Sequence, residues 1–306
     1  MPGPSSTDEF PPQEVSWMQR DVLLFANSIG VKADDLHFLY ELHPHFSVVP
    51  TYPLILPFKL TDQEVIEFYA RNAPKAIPGA HKLDLRYAVD GQRNLKILKP
   101  LPTTSAGRRF ELRNRLIGVY DKGASGSSLE TEQRIIDADS GEVYAQTRSV
   151  SFLPGQGNWG GPRGPHTAMR SIPDRSPDAR HVQSTTDETV FLYRLNGDYN
   201  PLHATEQVGK EMGMGGVIIH GLFTWSSACY GVLRECCGSD PAKLKEIEAR
   251  FASPVRPGDT LITEIWRVGV KNGDEEVIFR TVNQDGVVVL SNGRALLRQA
   301  ERDSKL

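Results

Sequence analysis

The chain is poor in cysteine, shows little imbalance of charge and lacks any apolar run of membrane-spanning length. Its three cysteines, Cys229, Cys236 and Cys237, fall in one short stretch without CxxC spacing, which argues against a disulfide framework and a thiolate metal site. They read as small thiols along one helix. A net charge of −3, with Lys and Arg scattered among acids, provides no basic stripe to attract a phosphate backbone, so nucleic acid is not an expected partner. The most apolar runs, VVPTYPLILPF and GGVIIHGLF, are shorter than the ~20 residues of a bilayer span, and a membrane is not expected either. What remains is a globular composition whose 306 residues suffice for two domains with cores of their own.

The two ends differ. MPGPSSTDEFPPQEV lacks both an apolar core and a basic run, so residues 1–15 read as a disordered tail and not a signal peptide. The tail 301–306 closes on Ser304, Lys305 and Leu306, the SKL address read by the peroxisomal import receptor. A peroxisomal location and that receptor as partner are therefore expected.

Between the tails the chain repeats itself. DVLLFANSIG (21–30) matches ETVFLYRLNG (188–197) in length, apolar spacing and terminal Gly, each reading as a short amphipathic helix stopped by a glycine. KPLPTTSAGRRFELRNRLIGVYDKG pairs with SPVRPGDTLITEIWRVGVKNG, and the next segments are hairpins with DSG and QDG turns. Two copies of one α+β unit follow, over 16–155 and 181–300, joined by a Gly- and Pro-rich linker over 156–180. HGLFTWSSACYGVLREC is the longest helical pattern, and alternating strands after it suggest an antiparallel sheet wrapped around that helix.

The copies differ where chemistry is concerned. NGDYNPLH (196–203) sets Asp198 five residues before His203, with Pro201 fixing φ between them; aligned on the terminal Gly, the first copy has Val31 and Leu36 there. A bent loop after Gly197 brings carboxylate and imidazole to one point, where they could hold and polarise one water while Asn200 braces the turn. The alternative is an Asx turn with a packed histidine. Farther on, IIHG leads straight into the long helix, so the Gly221 N–H is an unpaired donor at the positive end of a helix dipole, suited to an oxygen gaining negative charge. His220 reads as a buried supporting histidine. The apolar counterpart of the site in the first copy, with FSVVPTYPLILPF beside it, is expected to house an acyl tail or to be ordinary core.

GDYNPLH, IIHGL and ARFASPVRPGDTL together resemble the MaoC-like (R)-specific enoyl-CoA hydratases and dehydratases, in particular the two-repeat eukaryotic type 2 enoyl-CoA hydratases, over most of the chain. The resemblance implies a double hot-dog fold, α+β, each repeat a long helix wrapped by an antiparallel sheet. It implies no metal and no organic cofactor, an acyl-CoA thioester substrate, and a hydro-lyase acting in peroxisomal acyl-CoA metabolism such as β-oxidation. Asp198 and His203 would be catalytic, Gly221 would polarise the thioester carbonyl, Asn200 would support the pair, and Asp90, Gly91, Lys122, Tyr199 and Phe251 would contact substrate. The family usually has His where this chain has Asp90. A biosynthetic dehydratase, a thioesterase and a non-catalytic acyl-CoA-binding module stay open as alternatives, and a homodimer is a further expectation.

Overall fold

The computed structural model describes residues 9–71 and 83–299; the SKL tripeptide lies outside the described residues. Five strands come from each repeat: β1 (Gln13–Val15), β2 (Val89–Ile97), β3 (Phe110–Asp121), β4 (Gly126–Asp137) and β5 (Val143–Pro154), then β6 (Ala179–Ser184), β7 (Leu244–Phe251), β8 (Thr260–Lys271), β9 (Asp274–Val282) and β10 (Val288–Arg298). Their order in the sheet is β1-β3-β4-β5-β2-β7-β10-β9-β8-β6, a palindrome once corresponding strands are equated. At its centre β2 and β7 pair antiparallel, with Gln92 opposite Arg250 and Leu95 opposite Ile247. The two repeats thus share main-chain hydrogen bonds in one sheet.

That sheet wraps the long helix of the second repeat, α7 (Gly221–Cys237), labelled after the shorter α1 (Gln19–Ser28), α2 (Leu36–Leu39), α3 (Leu56–Lys59), α4 (Phe68–Arg71), α5 (Thr189–Tyr193) and α6 (Glu206–Glu211). Every residue of α7 from Leu222 to Leu233 is buried, as expected for a helix enclosed on all sides; it packs on β6, β7, β8 and β10. Gly238 stops it in the left-handed conformation. All three cysteines lie on it as free thiols.

A long helix was expected in each repeat; among the described residues the first repeat has none longer than α1. Pro50, Pro53 and Pro57 interrupt the apolar run where α7 has its counterpart, and each proline removes a helical N–H and clashes with the turn before it. What forms is a 3₁₀ turn, Tyr52–Leu54, followed by α3. Val49, Tyr52, Leu54, Ile55 and Leu56 go into the common core. The Gly- and Pro-rich segment between β5 and β6 crosses from one repeat to the other without strand or helix. It is pinned and not loose: the Asp121 carboxylate accepts from the amides of Asn158 and Gly160, each at 2.8 Å, and Arg170 pairs with Glu248 of β7.

Candidate active site

Helix α5 tightens into a 3₁₀ turn, Arg194–Asn196, and stops at Gly197 with φ +120°. A Cβ at Gly197 would lie 2.8 Å from the Lys59 Cα of α3, so only glycine lets the chain turn this close to the first repeat. Asp198 follows, 8% exposed, and one carboxylate oxygen takes the Asn200 amide at 3.3 Å. Asn200 in turn caps a second 3₁₀ turn, Pro201–His203, its Oδ1 accepting from Leu202 N–H at 3.0 Å. An Asx-type contact shapes the loop, and the loop brings carboxylate and imidazole to one place.

His203 is 7% exposed, and its Nδ1 lies 2.9 Å from the Ile218 carbonyl. A carbonyl only accepts, so Nδ1 carries the proton and Nε2 is the ring's acceptor. His220 is buried at 1%, donates from Nε2 to the Asp198 carbonyl at 3.1 Å and stacks on His203, ring centroids 3.8 Å apart at 28°. It holds Asp198 by the backbone and His203 by its ring face, as the supporting reading expected. Burial pushes the Asp198 carboxyl above its ordinary 3.8, an effect that His203 and the Asn200 amide oppose. Burial likewise pushes His203 below 6.5, against the pull of Asp198. Burial thus disfavours charge on both side chains.

Donor atoms of Asp198, His203 and His220 all lie within 4.8 Å of one another. One nitrogen of each ring is already on a carbonyl, which leaves His203 Nε2, His220 Nδ1 and the Asp198 carboxylate as the remaining donor atoms of the cluster.

Asp198, Asn200, His203 and Gly221 line one cavity of about 610 Å³ at the seam of the repeats. Gly221 opens α7, where its N–H precedes the first intrahelical bonds. Asp90, Gly91 and Phe251 line the same cavity. Gly91 sits at a register shift between β2 and β5, and a Cβ there would meet the Val150 carbonyl at 2.9 Å. Phe251, at the end of β7, comes within 3.1 Å of where a Gly221 Cβ would stand. Two expected contacts lie elsewhere. Lys122 is in the β3–β4 turn, its Nζ on the Arg163 carbonyl at 2.6 Å, and the Tyr199 ring packs on Arg194; neither lines the cavity.

Of the acyl-tail expectation in the first repeat, Phe58 alone of its apolar motif reaches the cavity. Leu36 is exposed, while Val31 and Leu54 are in the core. The first repeat contributes instead Phe68, Val89, Ser151 and Phe152, from segments with no likeness to the dyad loop. Sequence reasoning also missed Arg93, a buried lining residue, and Tyr193, whose ring lies 4.9 Å from that of His220. The alternation of VDGQRNLKI was the available signal for Arg93.

Residues 16–155 match the model of the MFE-2 hydratase 2 N-terminal domain and residues 168–288 that of the MaoC like domain. The chain is 46% identical to a probable dehydratase NIT22 of Ajellomyces capsulatus, over 97% of this chain and 83% of that one. It belongs to the MaoC-like hydratase and dehydratase family. A probable enoyl-CoA hydratase 2 of Dictyostelium discoideum is 33% identical over 96% of this chain and 95% of its own. Among solved structures, a MaoC-like dehydratase from Phytophthora capsici superposes with a TM-score of 0.82 at 32% identity, covering 96% of both chains. The fold is the double hot-dog and the enzyme class hydro-lyase.

Proposed function

We propose that this hydro-lyase adds water reversibly across the 2,3 double bond of a trans-2-enoyl-CoA, giving the (R)-3-hydroxyacyl-CoA. The observation that carries the reading is the convergence of Asp198, His203 and the Gly221 amide on one cavity. A water bound between the two side chains loses a proton toward His203 Nε2 as its oxygen bonds to C3. The thioester oxygen, hydrogen-bonded to Gly221 N–H, carries the charge that develops as C2 becomes nucleophilic, with the α7 dipole behind it. Return of a proton to C2 completes the addition. The product has gained one water, and no thioester bond is broken.

A hydratase accelerates both directions equally. The likeness to a protein described as a probable dehydratase supports a second reading, in which the cellular direction is water removal from a 3-hydroxyacyl thioester in a biosynthetic route. The terminal SKL and relatives named as peroxisomal, such as enoyl-CoA hydratase 2 of Arabidopsis thaliana, support a peroxisomal site of action. Mass spectrometry of products from enoyl-CoAs of several lengths, with a thiol reagent present, tests the chemistry. Gain of water without free thiol is expected. Release of CoA would make the enzyme a thioesterase, and unchanged substrate a binding module.

A further inference from the structure

One buried charge that lines the cavity is left unused by this chemistry. In a regular pleat residues 90 and 93 of β2 would face opposite sides of the sheet. The register slips at Gly91, between the pairs Asp90–Ser151 and Gln92–Val150, and an extra residue of this kind re-aims the side chains around it. Asp90 and Arg93 therefore meet on one side, with Asp90 Oδ1 2.8 Å from the guanidinium. Past the slip, Arg93 shares its buried face with Leu95 and Ile97, both of the common core. A guanidinium thus stands where the strand pattern asks for an apolar side chain. Its Nη1 donates to Ser149 Oγ on β5 at 3.0 Å, and its Nε is buried without a hydrogen-bond partner among the described residues.

A cation in such a place costs free energy unless it offsets something. Asp90 and Asp198 line the same cavity, and like charges sharing a site oppose each other's ionisation. Asp198 is 8% exposed and the Asp90 side chain 28%. Asp90 thus keeps more of its hydration, and Asp198 is the carboxylate that takes up a proton first if the balancing cation is removed. Asp90 raises the Asp198 carboxyl and Arg93 lowers it, in keeping with that geometry. No other group near Asp198 supplies the same charge. His203 on its own loop and His220 at the mouth of α7 are pushed toward their neutral forms by burial, as is Tyr193 at the end of α5. Arg194 turns its guanidinium to the Tyr199 carbonyl. Arg250, the other arginine that lines the cavity, is exposed and screened by solvent.

Building on the hydro-lyase reading, we infer that Arg93 is a positioning residue for the dyad: it neutralises Asp90, so that Asp198 alone of the two carboxylates in the cavity carries the net negative charge that orients the water. The first repeat, which has no dyad of its own, would in this way hold the dyad of the second in its working state.

Two readouts test this. One is the acidic limb of kcat/KM for an enoyl-CoA; the other, independent of turnover, is the titration of Asp198 followed by the carboxyl NMR shift in aspartate-labelled protein and assigned by its loss in Asp198→Asn. Arg93→Gln removes the charge and keeps a donor for Ser149, and both midpoints should rise by roughly one pH unit, the lower end of what a neighbouring charge does. Arg93→Lys, which keeps the charge, should stay near the wild type. Combining Arg93→Gln with Asp90→Asn should bring the midpoints back, because the charge that Arg93 balanced is gone. A role in folding alone would lower Tm and leave the midpoints in place. An unmoved midpoint in folded Arg93→Gln, or a double variant as far displaced as the single one, overturns the inference. Should Arg93→Gln not fold, Asp90→Asn carries the test with the opposite sign: its midpoint must fall below that of the wild type, and one that does not fall overturns the inference equally. A wild type that adds no water while the NMR midpoints move as expected would count against the hydro-lyase reading and not against this one.

Discussion

At the scale of single residues, the proposed role of Asp198 stands against stability. Asp198 is a buried carboxylate whose carboxyl is pushed above 3.8 by that burial. The sign follows from linkage: a folded state that binds the proton more tightly than the unfolded chain is favoured below both values and loses that advantage as pH rises through them. Ionising Asp198 in the fold is therefore a cost, and Asp198→Asn should keep or raise Tm while lowering kcat by about 10²-fold or more under the proposed mechanism. His203→Ala should lose a similar factor, and the double variant little beyond either single one, because in the proposed mechanism both groups hold the same water. Wild-type turnover in a folded single variant would end the assignment. The same burial places the pH dependence. Under the proposed mechanism activity needs Asp198 ionised, so kcat/KM should fall on acidification, with its limb above the 3.8 of an ordinary Asp carboxyl. A limb at or below 3.8 would contradict a raised Asp198.

At the scale of elements, the first turn of α7 carries the argument. His220 has φ −53° and ψ 130°, a conformation that tolerates proline after it, and proline is accepted at the first helical position. Gly221→Pro should thus preserve the helix while deleting its N–H, with a loss in kcat of roughly 10²-fold, the scale of one oxyanion donor. Gly221→Ala keeps the N–H and adds only a methyl against Phe251, so a comparable loss in both would assign the effect to crowding. This element, the dyad loop and the hairpins were legible in sequence because each has a local signature: a glycine stop, a proline-fixed bend, a DSG or QDG turn. A long helix in the first repeat was implied by the family resemblance alone, and Pro50, Pro53 and Pro57, in view in the sequence, are the local signal against it. Tyr193 and Phe152 went unseen for a different reason. Phe152 reaches the cavity, and Tyr193 the ring of His220, only through pairing of distant strands or packing of distant helices, which no local pattern encodes.

For the whole molecule, the proposed place of action can be tested apart from the chemistry. Deleting Ser304, Lys305 and Leu306 should leave turnover in vitro intact and move a fluorescent fusion from punctate organelles to diffuse cytosol; an unchanged distribution would show that the tripeptide is not an address. The palindromic sheet has a consequence of its own. Its central β2–β7 ladder and a core cluster that runs through both repeats, from Trp17 and Phe25 to Trp225 and Ile247, leave neither half a complete interior. Separating the repeats would expose an open sheet edge and strip one side of that core, so the duplication has not produced two domains in the thermodynamic sense. Calorimetry should show one cooperative transition whose van't Hoff and calorimetric enthalpies agree, and residues 181–300 expressed alone should fail to fold; two resolved transitions would mean that the halves melt as independent units.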